Sequence, residues 1–233
     1  MYFFLANLSL TDACFISASI PKMLANIHTW SWTISYSECL VQLYFLVMFG
    51  GLDNFLLVVM AYDRYAAICQ PLYYSTAMSP QLCALMLGMS LVLTNFAALV
   101  HTLLLTRVAF CAHKTILHFY CDLRDLLKLA CSDTHINELM IITIGLMFLT
   151  APLMLIILSY VRISCAVFGI SSSAGRWKAF STCGSHLTVV LLFYGSLMGV
   201  YLLPLSSHSA DRESRAAILY MVIIPMLNPL SIA

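Results

Sequence analysis

Charged residues are scarce in this sequence: Asp, Glu, Lys and Arg make up 9% of its 233 residues, whereas an ordinary soluble domain has about 25%. Hydrophobic residues make up 62%, and a soluble fold has no means of hiding so much apolar surface from water. A bilayer accepts that surface, so the composition indicates an integral membrane protein in contact with lipid. The net charge of +1 implies neither a nucleic-acid partner nor an acidic one.

Signatures of common enzymes are also missing. The sequence has no glycine-rich phosphate loop, no helix with paired zinc-binding histidines and no nucleophile elbow, so we expect no enzyme. No repeat, low-complexity tract or long charge run divides the chain, and we expect one membrane domain over residues 1–233. The first residues, MYFFLANLSL, lack a basic leader and a cleavage site, and are typical of the inside of a membrane span.

Six long apolar segments are candidates to cross the bilayer. A helix needs roughly 20 mostly apolar residues for this, and the segments lack the alternation of barrel strands. The predicted fold class is therefore an all-α membrane protein, because a helix satisfies its own backbone groups in lipid. The predicted spans cover about 1–26, 38–66, 80–103, 135–166, 175–204 and 212–233.

Four cysteines are predicted to share one membrane face if successive spans alternate in direction. Three lie in the long polar loop 104–134 and one begins the second span: Cys111, Cys121, Cys131 and Cys39. Two disulfides would fit an oxidising exterior, with three connectivities open. Lys and Arg are more frequent on this face, against the positive-inside rule, so the orientation depends on the cysteines. A rival is a zinc or copper site, because His118 lies three residues before Cys121.

Acidic residues occur at the end of the second span and inside two spans. Asp63 and Arg64 end the span, where polar groups and water are within reach, so one interpretation is a solvated interfacial anchor. Asp53 lies about 16 Å deeper at 1.5 Å per residue, and Asp12 lies inside the first span. Intramembrane acids indicate a functional site by default. One function that would use them is an ion-coupled transporter or channel. No internal repeat of the kind common in transporters supports that function.

Short motifs recur along nearly the whole chain: MYFFLANLSLTDACF, PKML, MAYDRYAAICQPLYY, HFYCDLRDLLKLACSD, SYVRI, KAFSTCGSHL, FYG and PMLNPL. Each is weak alone, but in this order they resemble the odorant receptors, a branch of the rhodopsin-like G-protein-coupled receptors. The resemblance implies a seven-helix bundle in which the six spans are the family's second to seventh helices. It also implies that the first helix and the C-terminal helix are absent, so a truncated, non-signalling receptor or pseudogene product is an alternative.

The resemblance implies a coupling switch at the inner end of the bundle. Asp63, Arg64 and Tyr65 would hold the resting state through local polar contacts, and Arg64 would turn toward the G protein on activation. Tyr160 and Lys178, in the segments SYVRI and KAFSTC, would line the same inner cavity.

A second implied site is a buried polar cavity formed by Asp12, Asp53 and Asn228, with Ser9 as a further contributor. Two nearby carboxylates cannot both ionise cheaply, so they would either bind a sodium ion or share a proton. Both interpretations stay open, and sodium is the one cofactor considered.

The resemblance pairs Cys39 with Cys121 and Cys111 with Cys131. It also implies an odorant pocket, in which Leu46 replaces the acidic anchor of amine receptors and the tyrosine of FYG is the family's toggle. Gly50 and Gly51 either leave room for a ligand or allow close helix packing. The expected partners are a small volatile odorant, the olfactory stimulatory G protein on the cytoplasmic face, and lipid of the plasma membrane in olfactory cilia. The pocket candidates are Val47, Gly50, Gly51, Ile144, Phe148, Tyr194, Leu197, Met198 and Tyr201.

Overall fold

The computed structural model describes residues 2–29, 34–110, 121, 123–169 and 172–201. A 3₁₀ turn at Pro71–Tyr73 joins two of its helices, and an isolated bridge between Phe110 and Ala130 is the β pairing found among these residues. The helices are α1 Tyr2–Thr29, α2 Tyr36–Cys69, α3 Tyr74–Ala77, α4 Pro80–Leu105, α5 Leu123–Lys128, α6 His135–Phe168 and α7 Ser173–Tyr201.

Five of these helices contain segments long and apolar enough to cross a membrane, and they match the first five predicted spans. The prediction of an all-α membrane fold is confirmed. The sixth predicted span, 212–233, lies outside the described residues. The predicted loop 104–134 differs in one respect, since its described part includes the short helix α5. The spanning segments are Tyr2–Lys22, Tyr36–Cys69, Pro80–Leu105, His135–Phe168 and Ser173–Met198.

The ends of α2 and α4 follow from local capping chemistry. Ser35 accepts a hydrogen bond from the Glu38 amide, and the Glu38 side chain accepts one from the Ser35 amide, which together form a capping box. Glu38 also pairs with Lys22 of α1 at 3.2 Å. Ser79 caps α4, and Pro80 occupies its first turn, where a missing N–H costs nothing. These caps define the points at which the helices of the second and third spans begin.

α2 is the central helix of the bundle. It packs against α1, α4 and α6, and it also contacts α7. Its residues Leu56, Leu57 and Ala61 are fully buried. α4 and α6 instead direct large apolar side chains outward, which lipid accepts without cost. A side chain that points inward from α2 can therefore contact several other spans.

Gly51 allows α2 and α4 to approach closely. A Cβ atom at this position would lie 3.0 Å from Cγ2 of Thr94, a fully buried residue of α4. Of the two interpretations of this glycine, the structure matches close helix packing.

Gly51→Ala is expected to destabilise the bundle by about 1–3 kcal/mol through overpacking. Gly88→Ala is the matched control, because its Cβ would meet nothing within 4 Å and alanine favours a helix. Thermal unfolding in detergent measures both. Adding Thr94→Ser removes the opposing methyl group and should restore the lost stability, whereas equal melting temperatures for both glycine variants would contradict the packing account.

Candidate functional site

The inner end of α2 carries Asp63, which is 2% exposed. Its carboxylate accepts a hydrogen bond from the hydroxyl of Tyr74 in α3 at 2.9 Å. Burial and this hydrogen bond raise the pKa of the Tyr74 phenol above its ordinary value. The Asp63 carboxylate is therefore bonded within the protein and has little contact with solvent. Tyr65 is half-buried, and its hydroxyl accepts a long hydrogen bond of 3.4 Å from Gln70.

Arg64 lies near residues of α6 and α7. It is half-buried, and its charge acts on Tyr160, Cys183 and His186. The Tyr160 hydroxyl lies 2.7 Å from Nδ1 of His186, and the two rings stack with centroids 5.8 Å apart. The structure thus brings Arg64 and Tyr160 into one cluster, as the resemblance implied. The side chain of the other predicted member, Lys178, lies outside the described ones.

His186 is the member of this cluster that the sequence-based prediction missed. It is fully buried in α7, and its ring lies beside the Leu57 backbone of α2. The motif KAFSTCGSHL, which contains His186, could have drawn attention to this residue. The sequence could not identify its partner, however, because that partner depends on how α6 packs against α7.

The buried acids Asp12 and Asp53 lie close together where α1 packs against α2. They are 2% and 4% exposed, and their charges repel one another. Asp53 Oδ1 is buried without a hydrogen-bond partner among the described residues. Ser9 is half-buried, and its hydroxyl donates to the Leu5 carbonyl of its own helix at 3.0 Å. The fourth candidate, Asn228, lies outside the described residues.

Asn54 follows Asp53 and was not predicted. Its amide nitrogen donates to the carbonyl of Phe148 in α6, and its Oδ1 accepts from the Tyr194 hydroxyl of α7 at 2.5 Å. Asn54 is 2% exposed. One side chain of α2 therefore joins two other spans immediately beside the acid pair.

At the outer end, a disulfide joins Cys39 to Cys121 with the Cα atoms 5.6 Å apart. This bond leaves Cys121 no thiolate, so the alternative metal site loses a ligand; His118 lies outside the described residues. The described residues contain no cluster of three or more metal-ligating side chains. Cys131 is disulfide-bonded, but its predicted partner Cys111 lies outside the described residues, so that pairing stays a prediction.

Gln42 reinforces this end of the bundle. Its Oε1 accepts from the Cys121 amide at 3.2 Å, and its Nε2 donates to the Ala18 carbonyl of α1 at 3.3 Å. The outer loop is thus held at Cys121 by a covalent bond and by a buried amide.

The predicted pocket residues differ in their surroundings. Val47, Gly50, Ile144 and Phe148 are half-buried. Tyr194 and Leu197 are buried in the main core, and Met198 is exposed. The side chain of Tyr201 lies outside the described ones. The Tyr194 hydroxyl, at the inner boundary of the predicted pocket, already donates a hydrogen bond to Asn54.

The arrangement of spans around a central α2 defines the class of protein. The chain matches the crystal structure of squid rhodopsin with a TM-score of 0.77 and 17% identity, over 98% of this chain and 66% of that one. The fold is therefore that of a rhodopsin-like receptor.

The particular family follows from sequence comparison. A family profile described as olfactory receptor matches residues 1–233. Olfactory receptor 1N2 of Homo sapiens is 81% identical over 98% of this chain and 72% of its own length. Olfactory receptor 1f45 of Rattus norvegicus is 56% identical over 98% of this chain and 73% of its own length. The chain belongs to the olfactory receptor family, whose members are multi-pass membrane receptors for signalling and not enzymes.

Proposed function

We propose that the chain binds a small volatile organic molecule and then activates the olfactory stimulatory G protein at its cytoplasmic face, which raises cyclic AMP. The cluster at the inner end of α2 carries this proposal. Arg64 acts there on Tyr160 of α6 and on His186 of α7, so a shift of either helix changes the surroundings of the arginine. The odorant must bind the active arrangement more tightly than the resting one, since otherwise no population shift occurs.

The ligand class follows from the side chains around the predicted pocket. Leu46 is buried and apolar, which disfavours a cationic amine. The remaining candidates are mostly apolar, as expected for a site between helices. A neutral alcohol, aldehyde or ketone fits such a lining. In an apolar pocket one methylene is worth only about 1–3 kcal/mol, so we expect graded preferences among related odorants.

The experiment expresses the chain in cells with a cyclic-AMP reporter and a surface tag. One version is the chain itself, and a second carries the N-terminal segment of the human relative before Met1. An odorant panel should raise cyclic AMP in at least one version. We propose the plasma membrane of olfactory cilia as the place where the protein acts. A protein that reaches the surface and binds odorant without coupling would contradict the proposal and favour the non-signalling alternative.

We also propose that Asp12 and Asp53 hold a sodium ion in the resting state. The buried, unpartnered Oδ1 of Asp53 and the repulsion between the two acids both support a cation between them. The ion would supply positive charge, and the two carboxylates would coordinate it.

Sodium should raise the melting temperature of the purified protein relative to an equal concentration of choline chloride. At a sodium concentration ten times the dissociation constant, the gain is about 1.4 kcal/mol. Asp53→Asn keeps the side-chain shape, removes the charge and should abolish the response. If the melting temperature of the wild-type protein is the same in sodium and in choline chloride, a proton shared by the two acids is favoured instead.

A further inference from the structure

Two free thiols lie near one another where the inner ends of α2 and α6 touch. Cys69 is the last residue of α2, and its thiol donates a weak hydrogen bond to the Arg162 carbonyl of α6, with Sγ 3.7 Å from the oxygen. Cys165 follows Arg162 on α6, about 4.5 Å further along the helix axis. Neither cysteine is in a disulfide, and the two thiols are close enough to interact electrostatically.

Helix geometry favours contact between these two thiols. The carbonyls of an α-helix point toward its C-terminal end, so the Arg162 carbonyl that holds Cys69 points along α6 toward Cys165. Each Cα–Cβ bond of a helix tilts toward the N-terminal end, so the Cys165 side chain leans back toward that carbonyl. Cys69 also ends its own helix, where the last turn can fray and complete the approach.

The thiol pair lies on the cytoplasmic side of the hydrocarbon core. The outer disulfide begins at Cys39 of α2, and Cys69 lies about 45 Å further along that helix at 1.5 Å per residue. α6 has 34 residues and is about 51 Å long, whereas the hydrocarbon core is about 30 Å thick. Cys165 is exposed and Cys69 is half-buried, so a small cytosolic reagent reaches Cys165 first. The neighbouring Cys183 of α7 is 4% exposed and is shielded from such a reagent.

We infer that Cys69 and Cys165 form a site of reversible oxidation by hydrogen peroxide, and that the resulting disulfide holds α6 against α2 in the resting arrangement. Disulfides in the cytosol are usually transient and redox-sensing, as this one would be. The effect on signalling rests on the proposed function, in which a shift of α6 changes the surroundings of Arg64.

The reaction has two steps. The Cys165 thiolate attacks one oxygen of hydrogen peroxide, the O–O bond breaks, hydroxide leaves and a sulfenic acid forms. Cys69 then loses its proton and attacks the sulfur of the sulfenic acid, so that an S–S bond forms, the S–O bond breaks and hydroxide leaves. The two thiols together lose two electrons and two protons, and the peroxide is reduced to two molecules of water.

The test treats the purified protein, and cells that express it, with hydrogen peroxide and then blocks the remaining thiols by alkylation. Chymotrypsin separates Cys69 from Cys83 at Tyr73 and Tyr74, so mass spectrometry identifies which cysteines are joined. Thermal unfolding reports stability, and odorant-dependent cyclic AMP reports signalling. Cys165→Ser removes the pair at an exposed position, and Cys83→Ser in α4 is the matched control because Cys83 is also free.

Peroxide should join Cys69 to Cys165, raise the melting temperature because a new cross-link restricts the unfolded chain, and lower cyclic AMP in proportion to the joined fraction. A mild thiol reductant should reverse all three changes. Cys165→Ser should show none of them, whereas Cys83→Ser should respond as wild type does.

Three results would overturn the inference: no joined peptide or one that links Cys69 to Cys183, a joined receptor that signals like the reduced one, or an equal loss of cyclic AMP in Cys165→Ser. The joined peptide and the melting temperature need neither odorant nor G protein. They therefore decide whether the disulfide forms even if the proposed function fails.

Discussion

Arg64→Ala is expected to lower odorant-dependent cyclic AMP strongly while leaving odorant binding and surface expression near wild type. Arg64 is half-buried, and its charge acts on Tyr160, Cys183 and His186 at the inner end of α6 and α7. In the proposed active state Arg64 bonds to the G protein, and a hydrogen bond to a charged group contributes about 1.5–3 kcal/mol, so cyclic-AMP signalling should fall roughly 10- to 100-fold. The measurement is a dose–response curve for cyclic AMP with binding of a labelled odorant in parallel.

Two control variants distinguish charge from geometry and from location. Arg64→Lys keeps the charge but loses the planar fork, so an intermediate loss is expected. Arg162→Ala removes an exposed cation from the inner half of α6 and should leave signalling near wild type. Unchanged signalling in Arg64→Ala would remove the proposed function of this residue.

Cys39→Ala is expected to lower stability by about 2–5 kcal/mol, the usual cost of removing a native disulfide. The bond to Cys121 closes a loop with a sequence separation of 82, so its loss releases the outer connection from the start of α2. Cell-surface expression should fall strongly, and thermal unfolding of the purified protein measures the remaining stability.

Cys121→Ala and the double variant should match Cys39→Ala, because all three remove the same bond. Cys165→Ala is the matched control, since this cysteine is free and exposed. A double variant clearly less stable than either single variant would show that the cysteines contribute separately. Gln42→Ala should add to the loss in Cys39→Ala, because Gln42 holds the Cys121 amide independently.

The positions of the spans were predictable because hydropathy and length are local properties of the sequence. The first five predicted spans match helices within a few residues. The disulfide between Cys39 and Cys121 was predicted from the family order of motifs, since spacing alone left three connectivities. Tyr160 beside Arg64 was anticipated in the same way.

The inward faces of the helices were not predictable from periodicity. The spans are apolar on every side, so no hydrophobic stripe separates the faces toward the core from those toward lipid. The pocket assignment of Met198, which is exposed, therefore stays a prediction, and Gly51 was left between two interpretations although it packs against Thr94.

The sequence by itself determined that this chain spans a membrane as helices, where those helices lie and to which family it belongs, because composition and ordered motifs need no contacts. Only the tertiary structure decided that Asn54 donates to the Phe148 carbonyl and that His186 meets Tyr160. These pairings join residues that are 94 and 26 positions apart. They depend on the register between packed helices, which no local property of either segment contains.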